Sequence, residues 1–406
     1  MNPLQKRSTL KAQRSTRKDS ESRDQQFTNC YVVDLDRTRD PFSGMFARVS
    51  LIVVLFLLAH AIRASAQTDY EQNLITAPGQ CPVNHGSSIA ELSDHNLLSC
   101  WYGGSDECAP DVKIYSSRYD PGTKTWSAPV VVAAHNERAE GRWMRTKTFG
   151  NCALFLDDEN VVWLFYAALP FGGWSSARVD YKTSKDNGQT WSPAKTLVGT
   201  FCNLPRNKPL RLGPGKFTVP LYKNFGHKYS YTCTLTVSGG EIKSRTYERI
   251  DGPENTQPTL VQRSEKELVA YLRDPTWESL MFSHCDPAQL KWSNAERLQL
   301  PNPNAAIDAV QTEDGRTLLV YNDSKKGRNP LSLAHSENGR DFKKIWDFEY
   351  SPSGGSFSYP AIIRATDGSY HLTYSHDRRT AIKHVHFSKA WLDEKIAAAH
   401  TVSAAR

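Results

Sequence analysis

The sequence has no apolar run of about 18 residues or more, which excludes a multi-pass membrane protein. It also has no Cys-x-x-Cys pair and no Cys/His spacing typical of zinc ligands, so no metal site and no cofactor are predicted. Methionine is scarce, with four residues, whereas 24 Gly, 22 Pro, 10 Trp, 17 Tyr and 16 Phe are spread along the 406 residues. This composition favours a turn-rich β fold over a helical bundle.

A strong excess of one charge is missing from most of the chain. Residues 1–66 carry 11 Lys and Arg against six Asp and Glu, whereas the remaining residues carry 39 against 37. The main part of the chain is therefore nearly neutral, and its charge gives no reason to expect nucleic acid as a partner.

The basic N-terminal region ends in a pattern typical of export. Arg48 precedes a short apolar run, and Ala64, Ser65 and Ala66 supply a small-residue cleavage site. We predict a signal peptide over 45–66, translation from Met45, a non-native or disordered leader over 1–44, and a secreted or periplasmic product without stable membrane insertion. A retained signal anchor is the alternative. Seven of the eight cysteines follow this region, so at least one thiol stays unpaired.

A strand ending in tyrosine recurs six times. Each copy follows a polar turn and an earlier apolar strand, and the copies end at Tyr102, Tyr166, Tyr222, Tyr271, Tyr321 and Tyr374. Hairpins at this spacing, with room for two more strands, are typical of propeller blades. The sequence therefore predicts an all-β, six-bladed β-propeller of four-stranded antiparallel blades over 67–390. Residues 71–76 are expected to close the last blade, and 391–406 form a C-terminal tail, either a short helix or frayed.

A second repeat lies after the hairpins. The box SKDNGQTW (184–191) is complete, and HSENGRDF (335–342) has Glu337 in place of the Asp and Phe342 in place of the Trp. Looser copies end at Trp126 and Trp292. In such a box the Asp caps backbone N–H groups of a turn and the Gly takes a positive φ, so Asp186 is predicted to be structural.

Ligands of a propeller bind at one mouth of the central channel, where the innermost strands begin. Counting back from the second strand of each blade gives one polar residue per blade: His85, Asn151, Lys208, Gln257, Asp308 and Tyr359. We predict that these side chains contact ligand; a solvated rim is the alternative. With Arg273 and Arg328 they would form a basic mouth suited to the carboxylate of an acidic sugar.

The blades and boxes together resemble the sialidase superfamily, most closely its secreted BNR/Asp-box proteins, over roughly residues 80–387. The resemblance implies a retaining glycosidase with a Tyr nucleophile, an exception to the two-carboxylate rule. It also implies a Glu that activates this Tyr, an Asp acid/base on a mobile loop, and three arginines that bind the sialate carboxylate.

The resemblance transfers unevenly to individual residues. Tyr359 matches the nucleophile, and Arg273 and Arg328 match the second and third arginines. Gln257 stands where the family has its activating Glu, and His85 stands where the first Arg is expected.

The loop GGSDECAPD (103–111) aligns with the acid/base loop, where Glu107 and Asp111 are the candidates. Asp106 is a weaker one, since the family position falls on Ala109.

Three functions stay open on these residues. The first is an exo-acting, sialidase-type glycoside hydrolase that releases a terminal acidic sugar, with Lys208 assisting the arginines. The second is a polysaccharide lyase acting on uronic-acid glycans, in which His85 or Tyr359 removes a proton. The third is a non-catalytic glycan-binding propeller. In each case the expected partner is an acidic glycan or glycoconjugate, and the protein is expected to be a monomer.

Overall fold

The structure, a computed structural model, describes residues 69–76 and 79–404. The predicted leader, signal peptide and cleavage site lie outside the described residues. Within them, 26 strands form six antiparallel sheets, one for each repeat of the sequence. The prediction of a six-bladed β-propeller is therefore confirmed.

The strands follow the chain from blade to blade. Blade 1 comprises β2 (Val83–Glu91), β3 (Leu97–Gly104), β4 (Lys113–Asp120), β5 (Thr125–Trp126) and β6 (Val130–Ala133). Blade 2 comprises β7 (Thr148–Leu156), β8 (Val162–Leu169), β9 (Arg178–Ser184) and β10 (Lys195–Val198), with a 3₁₀ turn at Trp174–Ser176. Blade 3 comprises β11 (Asn203–Pro205), β12 (Leu210–Gly213), β13 (Lys216–Lys223), β14 (Tyr229–Ser238) and β15 (Glu241–Ile250).

The second half of the ring repeats this order. Blade 4 comprises β16 (Thr256–Ser264), β17 (Glu267–Arg273), β18 (Ser279–Cys285) and β19 (Glu296–Pro301). Blade 5 comprises β20 (Asp308–Gln311), β21 (Thr317–Tyr321), β22 (Leu331–Ser336) and β23 (Lys343–Glu349). Blade 6 comprises β24 (Ser358–Arg364), β25 (Tyr370–His376), β26 (Ala381–Phe387) and β1 (Tyr70–Leu74). Two short strands share the outermost position in blade 1 and the innermost position in blade 3.

The core lies between adjacent blades. Strands β3 and β8 are buried along their whole length, because each is covered by a neighbouring blade on both faces. This burial accounts for the uninterrupted apolar runs that the sequence shows in place of alternation. One cluster joins Leu98 and Tyr102 of blade 1 to Phe149 and Leu164 of blade 2. The seven cysteines of the described residues are free thiols.

The N-terminal strand closes the ring, as predicted. β1 runs antiparallel to β26, with Tyr70 opposite Phe387. The ring of Tyr70 stacks on Trp391 at 5.0 Å. Trp391 belongs to helix α1 (Lys389–Ala404), so the C-terminal tail is helical and packs against the closing blade. Within the described residues, no helix has the length and apolar character needed to cross a membrane.

The complete Asp-box has its predicted structural role. The Asp186 carboxylate accepts hydrogen bonds from Ser184 Oγ and from the Thr190 N–H, at 2.6 and 2.9 Å. Hydrogen bonds from Ser184 and Thr190 lower the pKa of this carboxyl to about 2. Gly188 has φ +79°, and a Cβ there would lie 2.8 Å from Leu98 Cδ2. Glycine is therefore required both by the backbone conformation and by the packing between blades 1 and 2.

The second box differs from the expectation. Glu337 does not cap its turn; Asn338 does, accepting hydrogen bonds from the N–H groups of Arg340 and Asp341 at 2.9 Å each. Phe342 keeps the role of the box aromatic, because its ring meets Tyr271 edge-on at 5.4 Å.

A chain of hydrogen bonds runs through buried histidines in blade 6. The Trp126 indole N–H donates to His384 Nδ1 at 3.3 Å, and His384 Nε2 lies 3.0 Å from His371 Nδ1. His371 Nε2 in turn contacts Ser369 Oγ, which donates to Asp367. Because an indole can only donate, every donor in this chain is fixed and both rings must be neutral. Burial lowers the pKa of His371 to about 3 and that of His384 well below its usual value.

Candidate active site

Four innermost strands carry a register irregularity at the same end of the channel. It falls between Gly150 and Cys152 in β7, between Thr256 and Thr259 in β16, and at corresponding positions in β2 and β24. Asn151, Gln257 and Tyr359 lie within these irregularities, with φ of 36°, 49° and 58°. Non-glycine residues rarely adopt such φ values, and bulges of this kind redirect side chains beside active sites.

A cavity of about 230 Å³ lies at this mouth. Its lining is mainly polar, with Trp174 and Tyr222 supplying aromatic surface. Its charged lining residues are four cations and one carboxylate: Lys228, Arg273, Arg328, Arg379 and Glu107. The volume is below the roughly 300–1,000 Å³ of pockets that enclose drug-sized ligands. The cavity therefore fits a small anionic group or a single sugar ring.

Tyr359 forms the buried floor of this cavity, and its hydroxyl accepts two hydrogen bonds. Gln257 Nε2 lies 3.2 Å and Arg273 Nη1 3.1 Å from the phenol oxygen. The orientation of the Gln257 amide is fixed, because its Oε1 accepts from Arg273 Nη1 at 2.8 Å and arginine can only donate. Gln257 therefore presents a donor to Tyr359, where the Glu implied by the resemblance would present an acceptor.

The surroundings of Tyr359 favour its ionised form. Burial alone would raise the pKa of the phenol, but the charges of Arg273 and Arg328 and the hydrogen bond from Gln257 bring it down to about 8. The guanidinium of Arg206 lies 4.9 Å from the centre of the tyrosine ring. Arg206 is itself fully buried and donates to the carbonyls of Ser87 and Pro360, at 3.0 Å each.

His85 lies beneath the cavity, and the structure does not place it among the lining residues. Its ring centre is 4.1 Å from that of Tyr359, and its Nδ1 is 2.6 Å from Ser375 Oγ. The side chain is 1% exposed, and burial together with nearby arginines holds its pKa well below 6.5. His85 therefore supports Tyr359 as a neutral ring and does not supply the charge of the expected arginine.

Among the loop carboxylates, Glu107 is the one that reaches the cavity. It forms an ion pair with Arg379, whose side chain also lines the cavity. Asp111 points away, because its carboxylate accepts from the Ser105 N–H and Oγ at 2.9 and 2.8 Å and closes the loop. Asp106 accepts from the Glu107 N–H at 2.7 Å. Of the proposed acid/base residues, only Glu107 has access to a ligand in this cavity.

Two residues of the predicted register lie elsewhere. Lys208 Nζ donates to both carboxylate oxygens of Asp308, at 2.8 and 2.7 Å. Lys208 lines a different cavity, formed by the C-terminal ends of the innermost strands, at the opposite end of the channel. The expectation that Lys208 and Asp308 reach the mouth is thus corrected. For Asp308 the reason is that β20 starts at this residue without a bulge. For Lys208 the reason is that blade 3 divides its innermost position between two short strands.

Arg379 and Tyr222 are the main residues that sequence reasoning missed. Tyr222 is the penultimate residue of β13, and its hydroxyl accepts from Asn151 Nδ2 at 3.1 Å and from Gln257 Nε2 at 3.3 Å. Arg379 lies three residues after β25, the second strand of blade 6, and Arg273 is the last residue of β17, the second strand of blade 4. The same positional signal would have identified Arg379. It lies in a turn where three successive residues have positive φ, and its carbonyl accepts from the Asn84 N–H at 2.7 Å.

Within residues 69–76 and 79–404, no three His, Cys, Asp or Glu side chains are grouped to hold a metal ion.

Solved structures share this fold at low sequence identity. The NanB sialidase from Streptococcus pneumoniae superposes with a TM-score of 0.65 at 11% identity, covering 80% of this chain and 71% of that one. The intramolecular trans-sialidase from Ruminococcus gnavus gives 0.62 at 14%, covering 77% of this chain and 95% of the other. A protein of unknown function from Dyadobacter fermentans gives 0.63 at 11%, covering 80% and 100%.

Sequence comparison gives the family. A search of curated proteins finds no significant match. The BNR repeat-like domain family matches residues 95–372, well over half of the chain. The matched region runs from the turn before β3 to β25 and so includes strands from all six blades. The chain is a sialidase-like propeller and belongs to the BNR repeat-like domain family.

Proposed function

We propose that the protein is a retaining exo-glycosidase that releases a terminal acidic sugar from glycans, with Tyr359 as the nucleophile. The observation that carries the proposal is the hydrogen bonding of the phenol oxygen. It receives two N–H donors, from Gln257 and Arg273, at the floor of a cation-lined cavity. Donors and nearby cations stabilise a phenolate, and an oxygen nucleophile is activated when its pKa is lowered.

The cavity favours an anionic, terminal residue as substrate. Arg273 and Arg328 both contact Tyr359, whereas Arg379 is paired with the carboxylate of Glu107. Guanidinium groups bind carboxylates through paired, charge-assisted hydrogen bonds. Since the cavity is small, one sugar at the end of a chain can enter, and sialic acid is the first candidate.

The proposed reaction has two steps. The Tyr359 oxygen attacks the anomeric carbon while the bond to the leaving oxygen breaks and Glu107 gives that oxygen a proton. Water then attacks the glycosyl-tyrosine, Glu107 takes the proton of the water, and Tyr359 leaves as the phenolate that Arg273 and Gln257 stabilise. Glu107 is paired with Arg379 in the free protein, so the substrate carboxylate competes with Glu107 for Arg379.

Hydrolysis of a fluorogenic α-sialoside tests the proposal. Tyr359→Phe should abolish release of the fluorophore, whereas Tyr350→Phe, at an exposed tyrosine outside the cavity, should keep it. Nuclear magnetic resonance of the first product formed should show retained anomeric configuration. Wild-type turnover by Tyr359→Phe, or an inverted first product, would refute the mechanism.

A lyase acting on uronic-acid glycans is the second candidate, because a tyrosine with a pKa near 8 also suits a general base. Tyr359 would then be the base, since His85 is buried below the cavity. A lyase forms an unsaturated product that absorbs in the ultraviolet and a hydrolase does not. Binding of acidic glycans without either product would indicate a glycan-binding propeller.

A further inference from the structure

A second cavity, of about 460 Å³, lies on the flank between blades 2 and 3. One wall is formed by residues 197–200, at the C-terminal end of β10 and just beyond it, and the other by side chains of β14 and β15. We call this cavity the flank groove. Three tyrosines line it: Tyr229, Tyr231 and Tyr247. Nothing in the mechanism proposed above uses these residues.

Tyr247 presents an open aromatic face, and the buried Tyr231 beside it belongs to the fixed wall of the groove. Tyr247 is 45% exposed, and its ring centre lies 6.2 Å from that of Tyr231. Tyr231 is held in place because its hydroxyl donates to the buried Asn203 side chain at 2.7 Å. The Arg249 guanidinium covers the ring of Tyr229 at 3.9 Å. Tyr247 therefore offers one exposed aromatic face beside a fixed wall, and such a face binds a flat apolar surface at little cost in conformational entropy.

The groove is also basic. Lys223, Arg245 and Arg249 line it together with one carboxylate, Glu248. Arg249 is paired with Asp251 at 2.7 Å. Lys223 and Arg245 form no ion pair with a carboxylate in the part of the chain that the structure describes. Arg245 Nη1 donates to the Leu197 carbonyl at 2.6 Å, a neutral partner that leaves the positive charge of the guanidinium uncompensated. An occupant should therefore combine a flat apolar face with negative charge.

The flank groove adjoins the cavity of Tyr359. The two share the hairpin between β13 and β14, in which Lys223 pairs with Tyr229. Lys223 and Tyr229 line the groove, whereas the loop residues Asn224 and Lys228 between them line the Tyr359 cavity. The hairpin is anchored, because the Asn224 N–H donates to the Cys202 carbonyl at 2.8 Å. A chain leaving the Tyr359 cavity across this hairpin reaches the groove directly.

We propose that the flank groove is a second subsite, which binds an inner residue of an acidic oligosaccharide whose terminal sugar occupies the Tyr359 cavity. This inference rests on the proposed function. A sugar ring offers a C–H face to Tyr247 and a carboxylate to Arg245 or Lys223. An oligosaccharide fits better than an acidic peptide, because the groove continues from a cavity sized for one sugar ring.

The test measures binding without turnover, in the Tyr359→Phe full-length protein by calorimetry. The probes are methyl α-sialoside and an α2,8-linked sialic acid tetramer. The tetramer should bind about tenfold or more tightly than the monomer. Adding Tyr247→Ala should reduce the ratio of tetramer affinity to monomer affinity to about twofold or less while leaving monomer binding unchanged. Tyr247→Phe, which keeps the ring, and Tyr350→Ala, at an exposed tyrosine outside both cavities, should keep the ratio.

The outcomes separate the two proposals. Equal binding of monomer and tetramer, or a ratio that Tyr247→Ala leaves unchanged, would overturn the subsite even if the wild type hydrolyses sialosides. A Tyr247-dependent ratio without wild-type turnover would support the subsite and refute the hydrolase. Arg245→Gln should lower the affinity for the tetramer and should make that affinity less dependent on salt concentration. If an oligoglutamate peptide bound in a Tyr247-dependent way and the tetramer did not, the groove would be a peptide site, which also overturns the proposal.

Discussion

Replacing Gln257 by Glu should raise the pKa of Tyr359 from about 8 to above 10, because a donor to the phenol oxygen becomes a neighbouring negative charge. In the wild type the surroundings favour the phenolate by about 3 kcal/mol relative to a free tyrosine, at 1.36 kcal/mol per pKa unit. The Gln257 Nε2 lies 3.2 Å from the phenol oxygen. A charge at that distance repels a phenolate by about 5 kcal/mol at an effective dielectric constant of about 20.

The repulsion exceeds the existing stabilisation, so the phenol should keep its proton at neutral pH. Arg273, which donates to the Gln257 Oε1 at 2.8 Å, should keep the introduced carboxylate ionised. Gln257→Met removes the donor without adding charge. It should therefore have the smaller effect, a rise of about one pKa unit, as expected for one lost hydrogen bond of about 1–1.5 kcal/mol.

Spectrophotometric titration of tyrosinate measures these shifts, with Tyr359→Phe subtracted to remove the other tyrosines. The pH midpoint of the Tyr359 titration should be lowest in the wild type, higher in Gln257→Met and highest in Gln257→Glu. In the wild type, kcat/KM for a sialoside should rise with pH through about 8, since only about one-tenth of Tyr359 is ionised at about pH 7. A wild-type midpoint at or above that of free tyrosine, or identical midpoints in all three proteins, would refute the reasoning.

Three further predictions concern the anion site, the closing blade and the Asp-box. Arg379→Ala should raise KM for an acidic glycoside about 10- to 100-fold. This change is equivalent to about 1.5–3 kcal/mol, as expected for a lost charged hydrogen bond, and steady-state kinetics at constant ionic strength would detect it. Because the folded-state pKa of His371 is depressed to about 3, its contribution to the free energy of unfolding is complete above about pH 6.5 and is lost as pH falls towards 3. The loss reaches about 5 kcal/mol, and urea melts across this range should show a shallower pH dependence for His371→Leu. Asp186→Ala should lower the free energy of unfolding by about 1 kcal/mol without changing kcat, and a larger effect on kcat than on stability would contradict its structural role.

Much of the fold was predictable because a propeller repeats one local unit. The recurring strands that contain Tyr102, Tyr166 and their equivalents carry an apolar run that is buried on both faces. Each turn and strand is determined by nearby residues, so a period in the sequence becomes a period in space. The closing strand β1 was also foreseeable, since blade 6 had only three strands before the chain reached Phe387.

The site was predictable only where the blades keep their common geometry. Asn151, Gln257 and Tyr359 share a register and also share a bulge, so they reach one mouth. Lys208 and Asp308 share the register without the bulge, and they pair with each other further down the channel. Register counting assumes equal strands, and one inserted residue is enough to redirect a side chain.

The sequence by itself determined the architecture, the turn of the complete Asp-box and the identity of the tyrosine at the mouth, because these depend on local patterns repeated along the chain. Only the tertiary structure decided which charges meet. Arg379 is 272 residues from Glu107 and 20 from Tyr359, yet it faces both across one cavity. The tertiary structure also decided that Gln257 donates a hydrogen bond to Tyr359, since Arg273 fixes the orientation of the Gln257 amide. Electrostatic interactions depend on distance in space and on burial, and neither can be read from spacing along the chain.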